Sequence, residues 1–341
     1  MGRDKSHLYK KDLHQQAYAK FQNMKAFGES RHEAKKKGLD KDKIFAFKTY
    51  KTYWEQTQYF IRWVQNIHPE TTTLKKAKRH VNEWLQSLVD QGYSPWSVHT
   101  ACAALCKLYG IDKDDPKRFR PPTRHRADIK RSRGVAARDK DFSITNNHEL
   151  IEFVKATGTR RNVLQKIKSS DLWSSAQIVE RIAALLALPE RTDAQERELK
   201  MMQETIALFP TYHWFLLHRR DKGGKNRLSP IIGPGAAAVV ERMQTTPPNE
   251  RVWLHVPSGM DVHGYRADYA TALYKVHARR IEDIPKDRIN KGTGRLYSSE
   301  VYNCRKDEKG KHLDKRAMLL VSKALGHNRL DICSNFYLRN L

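Results

Sequence analysis

Residues 116–133 read PKRFRPPTRHRADIKRSR, with eight Lys or Arg, one acid and three prolines. Proline fixes φ and removes a backbone donor, so this stretch suits neither a helix interior nor a central strand. Like charge packed this densely calls for an anionic track. The stretch therefore cuts the chain into two parts, each of which must build its own core. It is either a strap crossing a polyanion between those parts or a free linker. The 341 residues are enough for two domains plus extensions.

The basic excess is not confined to this stretch. The chain carries 64 Lys and Arg against 38 Asp and Glu, a net charge of +26. An imbalance of that size opposes compaction unless a polyanion neutralises it, and nucleic acid is the expected partner. An anionic membrane fits less well, since no basic amphipathic helix lies beside a lipidation signal. No apolar run approaches the roughly 18 residues needed to span a bilayer, and the start, MGRDKSHLYKKD, lacks the apolar core of a secretory signal. Cys102, Cys106, Cys304 and Cys333 form neither zinc-ligand pairs nor a disulfide framework. A cytoplasmic, reduced protein is expected, with seven Trp and fourteen Tyr arguing against disorder.

Residues 1–45 hold twelve Lys or Arg against six acids and few large apolar residues. They are expected to form a basic arm, lying along phosphates or trailing as a solvated tail. Residues 46–113 change character. Tyr50, Tyr53, Trp54, Thr57, Phe60, Ile61, Val64 and Ile67 recur at helical spacing. A second helix follows through Leu74, Ala77, Val81, Trp84, Leu85 and Leu88, and stops at Gly92. A third is capped by Ser94, starts on Pro95 and ends at Gly110. The aromatic stripe reads as core rather than as a base-stacking surface. Residues 114–140 are the linker, with Lys117, Arg118, Arg120, Arg124, Arg126, Lys130, Arg131 and Arg133 as candidate phosphate contacts.

Residues 141–341 read as mainly helical with a small antiparallel sheet, an α+β domain. A helix near 147–156 leads to ATGTRRNVLQKIKSSDL, where Arg160, Val163, Leu164 and Ile167 share a face. Residues 172–208 look like one or two inserted helices. An alternating strand runs to Arg219, Asp221 to Lys225 turns, and a second strand ends at Pro230. Helices are expected near 235–244 and 262–280, with a basic loop at 288–295. A further helix is expected to hold Tyr302 and Arg305, and another at 314–324 leads to LGHNRLDICSNFYLRNL.

With these segments in order, residues of about 145–338 resemble the catalytic domain of tyrosine recombinases, the integrases of phages and integrative mobile elements. ATGTRRNVLQKIKSSDL resembles the first arginine box of that family, KGGKNR its lysine hairpin and LGHNRLDICSNFYL its terminal box. The three-helix segment before them resembles its core-binding domain. The resemblance implies Arg160 as first catalytic arginine, Lys222 as hairpin lysine, His327 as terminal-box histidine and Tyr337 as nucleophile. Counting back about twenty residues from Leu-Gly-His, the second box falls on Tyr302-Asn-Cys-Arg305, with Tyr302 replacing the usual histidine. His312 with Arg316 lies too near the terminal box. Lys225 and Arg227 on the hairpin are taken as DNA contacts. The chain departs from the family at Val163, where an acid is usual, and in a His327–Tyr337 gap one residue longer than common. Only four residues follow Tyr337, so the tail is expected to be mobile until assembly on DNA.

The implied chemistry is consistent with these residue types. Tyrosine titrates near ~10 and needs activation to attack a phosphodiester. Two guanidiniums offer rigid paired donors for the charge on the non-bridging oxygens, and a lysine can protonate the leaving 5′ oxygen. The resemblance further implies a 3′-phosphotyrosine intermediate, strand exchange by a homo-tetramer on double-stranded DNA, and no metal or other cofactor. A monomeric relaxing topoisomerase and a non-catalytic DNA-binding regulator are the competing functions.

Overall fold

The computed structural model describes residues 12–125, 142–221, 224–305, 308–338 and 341. The chain divides into two compact units, residues 1–130 and 131–341. It is mainly helical with small antiparallel sheets, an α+β protein.

The first unit begins where an arm was expected. Helix α1 (Leu13–Asn23) opens on a capping box, with Asp12 accepting from the Gln15 amide at 2.7 Å and Gln15 returning the bond to the Asp12 amide. Its Leu13, Ala17 and Phe21 are buried. With Met24 and Ile44 they join one core with Phe60, Ile61 and Val64 of α3 (Phe47–Ile67). The short α2 (Arg31–Lys36) lies between and is capped by Ser30. Residues 12–45 are thus part of the domain. Their charge count averages over an amphipathic helix whose apolar face repeats every four residues. Residues 1–11 lie outside the described part.

The same core takes in α4 (Leu74–Ala77), which runs through a tight turn into α5 (Val81–Asp90), and α6 (Pro95–Tyr109). Ser94 accepts from the Ser97 amide, and Gly110 closes α6 in the left-handed conformation at φ 62°. The proline-rich stretch is not free where it is described. Asn82 donates to the Lys117 carbonyl at 2.9 Å, His99 to the Pro122 carbonyl at 3.1 Å, and Phe119 packs on the core. Lys117, Arg120 and Arg124 remain exposed, whereas Arg118 is half-buried beside the Cys102 and Cys106 thiols. Arg126, Lys130, Arg131 and Arg133 lie outside the described residues.

The second unit starts with α7 (His148–Thr157) and α8 (Arg161–Leu164). Strands β1 (Leu172–Ser174), β2 (Trp214–His218) and β3 (Arg227–Pro230) make an antiparallel sheet in that order, with Leu172 opposite Leu216 and Leu217 opposite Leu228. The insertion between β1 and β2 is two helices, α9 (Ser175–Leu186) and α10 (Asp193–Leu208), each opened by its own capping box. Helix α11 (Ala236–Thr245) follows, then α12 (Val262–His277).

Helix α12 is the axis of this unit. Val262 and Tyr265 belong to a core with Leu150, Ile151 and Phe153 of α7, while Tyr269, Ala270 and Leu273 belong to another with Phe215 and Val321. A helix apolar on so much of its circumference is held from several sides, so any polar side chain on it is positioned rigidly. After α12 come two small hairpins, β4 (Arg288–Ile289) with β5 (Leu296–Tyr297), and β6 (Val301–Asn303) with β7 (His312–Asp314). Helices α13 (Lys315–Ala324) and α14 (Leu330–Phe336) complete the unit. Tyr302 and Arg305 were expected on a helix. Tyr302 instead lies in β6 opposite Leu313, and Arg305 in the loop after it. Cross-strand pairing of Val301, Tyr302 and Asn303 with β7 overrides any helical tendency of the segment.

Candidate active site

Gly158 ends α7 in the left-handed conformation, at φ 61°. A Cβ there would sit 2.5 Å from the Tyr269 ring, so both conformation and space require glycine. This turn aims the next residues across the unit. Arg160 precedes α8, whose Val163 and Leu164 are buried, and its guanidinium points away from them. It forms an ion pair with Asp221, donates to the Leu325 carbonyl at 3.3 Å and approaches His327 Nε2 at 3.5 Å.

Opposite stands Arg266, one turn inside α12 and 1% exposed. Asp261 caps that helix by accepting from the Gly264 amide at 2.9 Å. His263 and Arg266 are three residues apart and share a face. Arg266 donates to the Gly158 and Leu325 carbonyls, and its Nε–H to Tyr337 Oη at 3.4 Å. The imidazoles of His263 and His327 flank the Tyr337 ring, with centroids 5.1 and 5.6 Å away.

A third guanidinium, Arg227 at the start of β3, lies behind the first two. It donates to Asp221 at 2.9 Å, to the Ala324 carbonyl and to His218 Nδ1 at 3.0 Å. Since arginine only donates, His218 Nδ1 accepts, which leaves Nε2–H to donate to Ser229 Oγ at 2.7 Å. Ser229 passes the bond to the Thr157 carbonyl at 3.1 Å. Burial, and then the charge of Arg227, holds His218 well below the ordinary imidazole value, so it is neutral as this relay demands. Burial, and then the charge of Arg266, pushes Arg227 down to about 9, still cationic at neutral pH.

Asp221 is the counter-ion. Burial pushes its carboxyl up, but the charge of Arg227 and the bond from Arg160 outweigh burial and hold it at about 2. Three guanidiniums and this one carboxylate leave the four side chains with two positive charges in excess. Val163, where the resemblance leads one to expect an acid, is core. Arg160 takes its carboxylate from the β2–β3 hairpin instead.

Tyr337 follows α14 and is 5% exposed, and Leu338 beyond it is fully buried in the core of α12 and α13. Thr271 donates to the Tyr337 carbonyl at 3.4 Å and Lys311 to the Leu338 carbonyl at 3.0 Å. Where a mobile tail was expected, Tyr337 and Leu338 are docked, held by one buried leucine, worth roughly 2 kcal/mol by transfer, and by two side-chain bonds to their backbone; residues 339 and 340 lie outside the described part. His327 is set by Gly326, at φ 69°, where a Cβ would come 2.7 Å from Arg227 Cδ.

The structure therefore brings together Arg160, His327 and Tyr337 from the sequence-derived set. It adds His263, Arg266 and Asp221, and gives Arg227 a place behind them. Tyr302 is half-buried against the core and Arg305 exposed. Among the described residues no hydrogen bond or ion pair joins either of them to this group. The His-x-x-Arg of His263 and Arg266 on α12 stands beside Tyr337 instead, the arginine 59 residues before Leu325, with two hairpins between α12 and α13. The His-x-x-Arg spacing itself was the available signal. Arg227 was expected to face DNA, but it is 7% exposed and turned inward. Lys225 is exposed, and Lys222 lies outside the described residues.

One further group has ligand spacing. In the first unit His68, Glu70 and His80 offer atoms within 4.8 Å of one another. Arg79 already donates there, to His80 Nε2 at 2.9 Å and to Glu70 at 3.4 Å. The two rings stack at 3.7 Å with 19° between planes, so their lone pairs run side by side instead of converging. A guanidinium supplies the cation in this cluster.

No family model matches the chain, and no curated protein matches it. Among solved structures it aligns with the crystal structure of XerA recombinase at 14% identity, over 95% of this chain and 94% of that one, with a TM-score of 0.25. Similarity that slight leaves function to be read from the side chains of the chain itself. Among the described residues, no helix is long and apolar enough to cross a membrane.

Proposed function

We propose that the chain is a site-specific DNA recombinase of the integrase kind, cleaving and rejoining DNA through a 3′-phosphotyrosine intermediate. The observation that carries this reading is the Arg266 Nε–H donated to Tyr337 Oη, with two imidazoles beside the same ring and Arg160 reaching one of them, His327. Tyrosine hydroxyls in cores commonly bond to carbonyls. One bonded to a guanidinium is suited to an anionic electrophile, because the cation is already in place to bind the phosphate. The net charge of +26 fits a polyanionic substrate.

In the proposed step Tyr337 Oη loses its proton and bonds to phosphorus, and the P–O5′ bond breaks. The 5′ oxygen takes a proton, for which Lys222 is the candidate donor. Arg160 and Arg266 hold the non-bridging oxygens. His263 and His327 lie beside the phenol as candidate proton acceptor and donor. Asp221, Arg227 and His218 touch no substrate in this scheme and act as positioning residues. Rejoining reverses the step with a new 5′ hydroxyl, so the energy of the phosphodiester is kept in the tyrosyl ester. Exchange between two duplexes takes four such sites, hence a tetramer on DNA.

A nicked suicide duplex tests the scheme. The wild type should form a covalent adduct and Tyr337→Phe should not, whereas an adduct from the phenylalanine variant refutes the assignment. Recombinant product from two duplexes separates a recombinase from a relaxing topoisomerase, and absence of any adduct leaves the regulator reading.

A further inference from the structure

The ribbon formed by β4 and β5 has no covered side. Every residue from 285 to 297 is exposed, whereas a two-stranded hairpin ordinarily needs a packed face to persist in water. It is shaped from within. Asn290 Oδ1 accepts from the Gly292 and Thr293 amides at 2.9 and 3.1 Å, and the Asn290 amide donates to the Arg295 carbonyl at 2.9 Å. Gly294, at φ 66°, completes the turn. At the root, Asp287 accepts from the amide of Ser299 at 2.6 Å and from its hydroxyl. The one acid of the ribbon is thereby tied to its base, while Lys286, Arg288, Lys291 and Arg295 are left facing solvent.

Between those cations lies an apolar pair. Ile289 and Leu296 stand directly opposite each other, 63% and 59% exposed, while Tyr297, opposite Arg288, belongs to the other face. A large apolar pair this exposed, ringed by positive charge, fits a partner that is anionic at its edges and apolar between them. Duplex DNA has that form, with phosphates along both rims of a groove and sugars, base edges and thymine methyls inside. The major groove, about 12 Å wide, admits a two-stranded ribbon.

We propose that the β4–β5 ribbon enters a groove of the duplex held at the Tyr337 site, with Arg288, Lys291 and Arg295 on phosphates and Ile289 and Leu296 on the groove floor. This rests on the DNA reading above. The placement is compatible. The connection to the ribbon leaves α12 at His277, and eleven residues from Arg266 at 1.5 Å each is about 16 Å along the axis. That is about half of the ~34 Å turn of a duplex, so the start of the connection and Arg266 lie within one turn of a duplex of each other.

The test is binding of the full chain to a short random-sequence duplex across a salt series. Each phosphate contact contributes about 0.9 to the slope of log affinity against log salt, so Arg288→Ala/Lys291→Ala/Arg295→Ala should flatten it by about 2.7. A fourfold rise in salt would then cost the wild type roughly fortyfold more affinity than the variant. Ile289→Ser/Leu296→Ser should weaken binding with the slope unchanged. Circular dichroism and thermal melts of both variants should match the wild type, since the ribbon covers no core. If the wild type binds and the triple variant keeps its slope, the ribbon proposal is overturned while the DNA reading stands. Failure of the wild type to bind any duplex overturns both.

Discussion

Replacing Asp221 by asparagine removes the carboxylate that links Arg160 to Arg227 while keeping the shape of the side chain. Asp221 is 7% exposed and Arg227 likewise, so the surviving guanidinium of Arg227 cannot recover the loss from water. Breaking a buried pair by removing one partner costs about 3–5 kcal/mol. The pH dependence gives a second handle on the same contact. The folded-state value of Asp221 is about 2 against an ordinary 3.8, a difference worth about 2 kcal/mol. Because the folded value is depressed, this stabilisation is fully present above the unfolded value and is lost as pH falls through the folded one. Urea unfolding of wild type and Asp221→Asn at a series of pH values is the assay. The wild type should lead by about 3 kcal/mol at pH 5, and by about 2 kcal/mol less at pH 2. A lead that is absent at pH 5, or one that stays constant down to pH 2, would show that Asp221 is not the ionised partner of the arginines. In adduct assays above pH 5 the same variant should be slower, since Arg160 loses its fixed orientation, and sodium chloride should not restore it.

Arg266→Ala should lower adduct formation by about 10²–10³ and Arg305→Ala should change it little. The opposite order in a cleavage assay would return the second arginine to position 305. Gly158→Ala combines positive φ with a Cβ 2.5 Å from the Tyr269 ring, so a loss of about 2–4 kcal/mol is expected in denaturant titration, and a loss under 0.5 kcal/mol would contradict the turn described. Leu338→Ala should cost about 2–5 kcal/mol locally and raise amide exchange at Tyr337 and Leu338, whereas unchanged exchange would mean that the tail is held without Leu338.

Local elements of the fold are readable because their signals are local. Ser94, Pro95 and Gly110 mark both ends of α6, and Gly158 marks the end of α7, each through its own backbone preference. Residues 12–45 mislead because charge is a sum over the whole stretch, while the apolar stripe of α1, Leu13, Ala17 and Phe21, is short and α1 itself carries one lysine, Lys20. Spacing in sequence does not point to Arg266, because two hairpins lie between α12 and α13 and the approach of Arg266 to Tyr337 is made only by the tertiary fold. For Arg227 the sequence carries the wrong sign of information. A basic residue after a glycine turn looks like surface, yet Asp221, His218 and the close approach of Gly326 bury it. The Asp221–Arg160 pair has no local signature, since its partners are 61 positions apart and are joined only by the tertiary fold.

Backbone carbonyls anchor the guanidiniums of the site: those of Gly158, Ala324 and Leu325, at the C-terminal ends of α7 and α13, accept from Arg160, Arg227 and Arg266. Helix ends of that polarity favour cations. A main-chain acceptor is also indifferent to the side chain it belongs to. The electrostatic cradle is therefore insulated from most single substitutions at residues 324 and 325, which packing alone polices. The vulnerable points shift to Gly158 and Gly326, which carry no charge and set the direction of those carbonyls. In a saturation library those two glycines should tolerate fewer replacements than Ala324 and Leu325, whose oxygens bind the arginines.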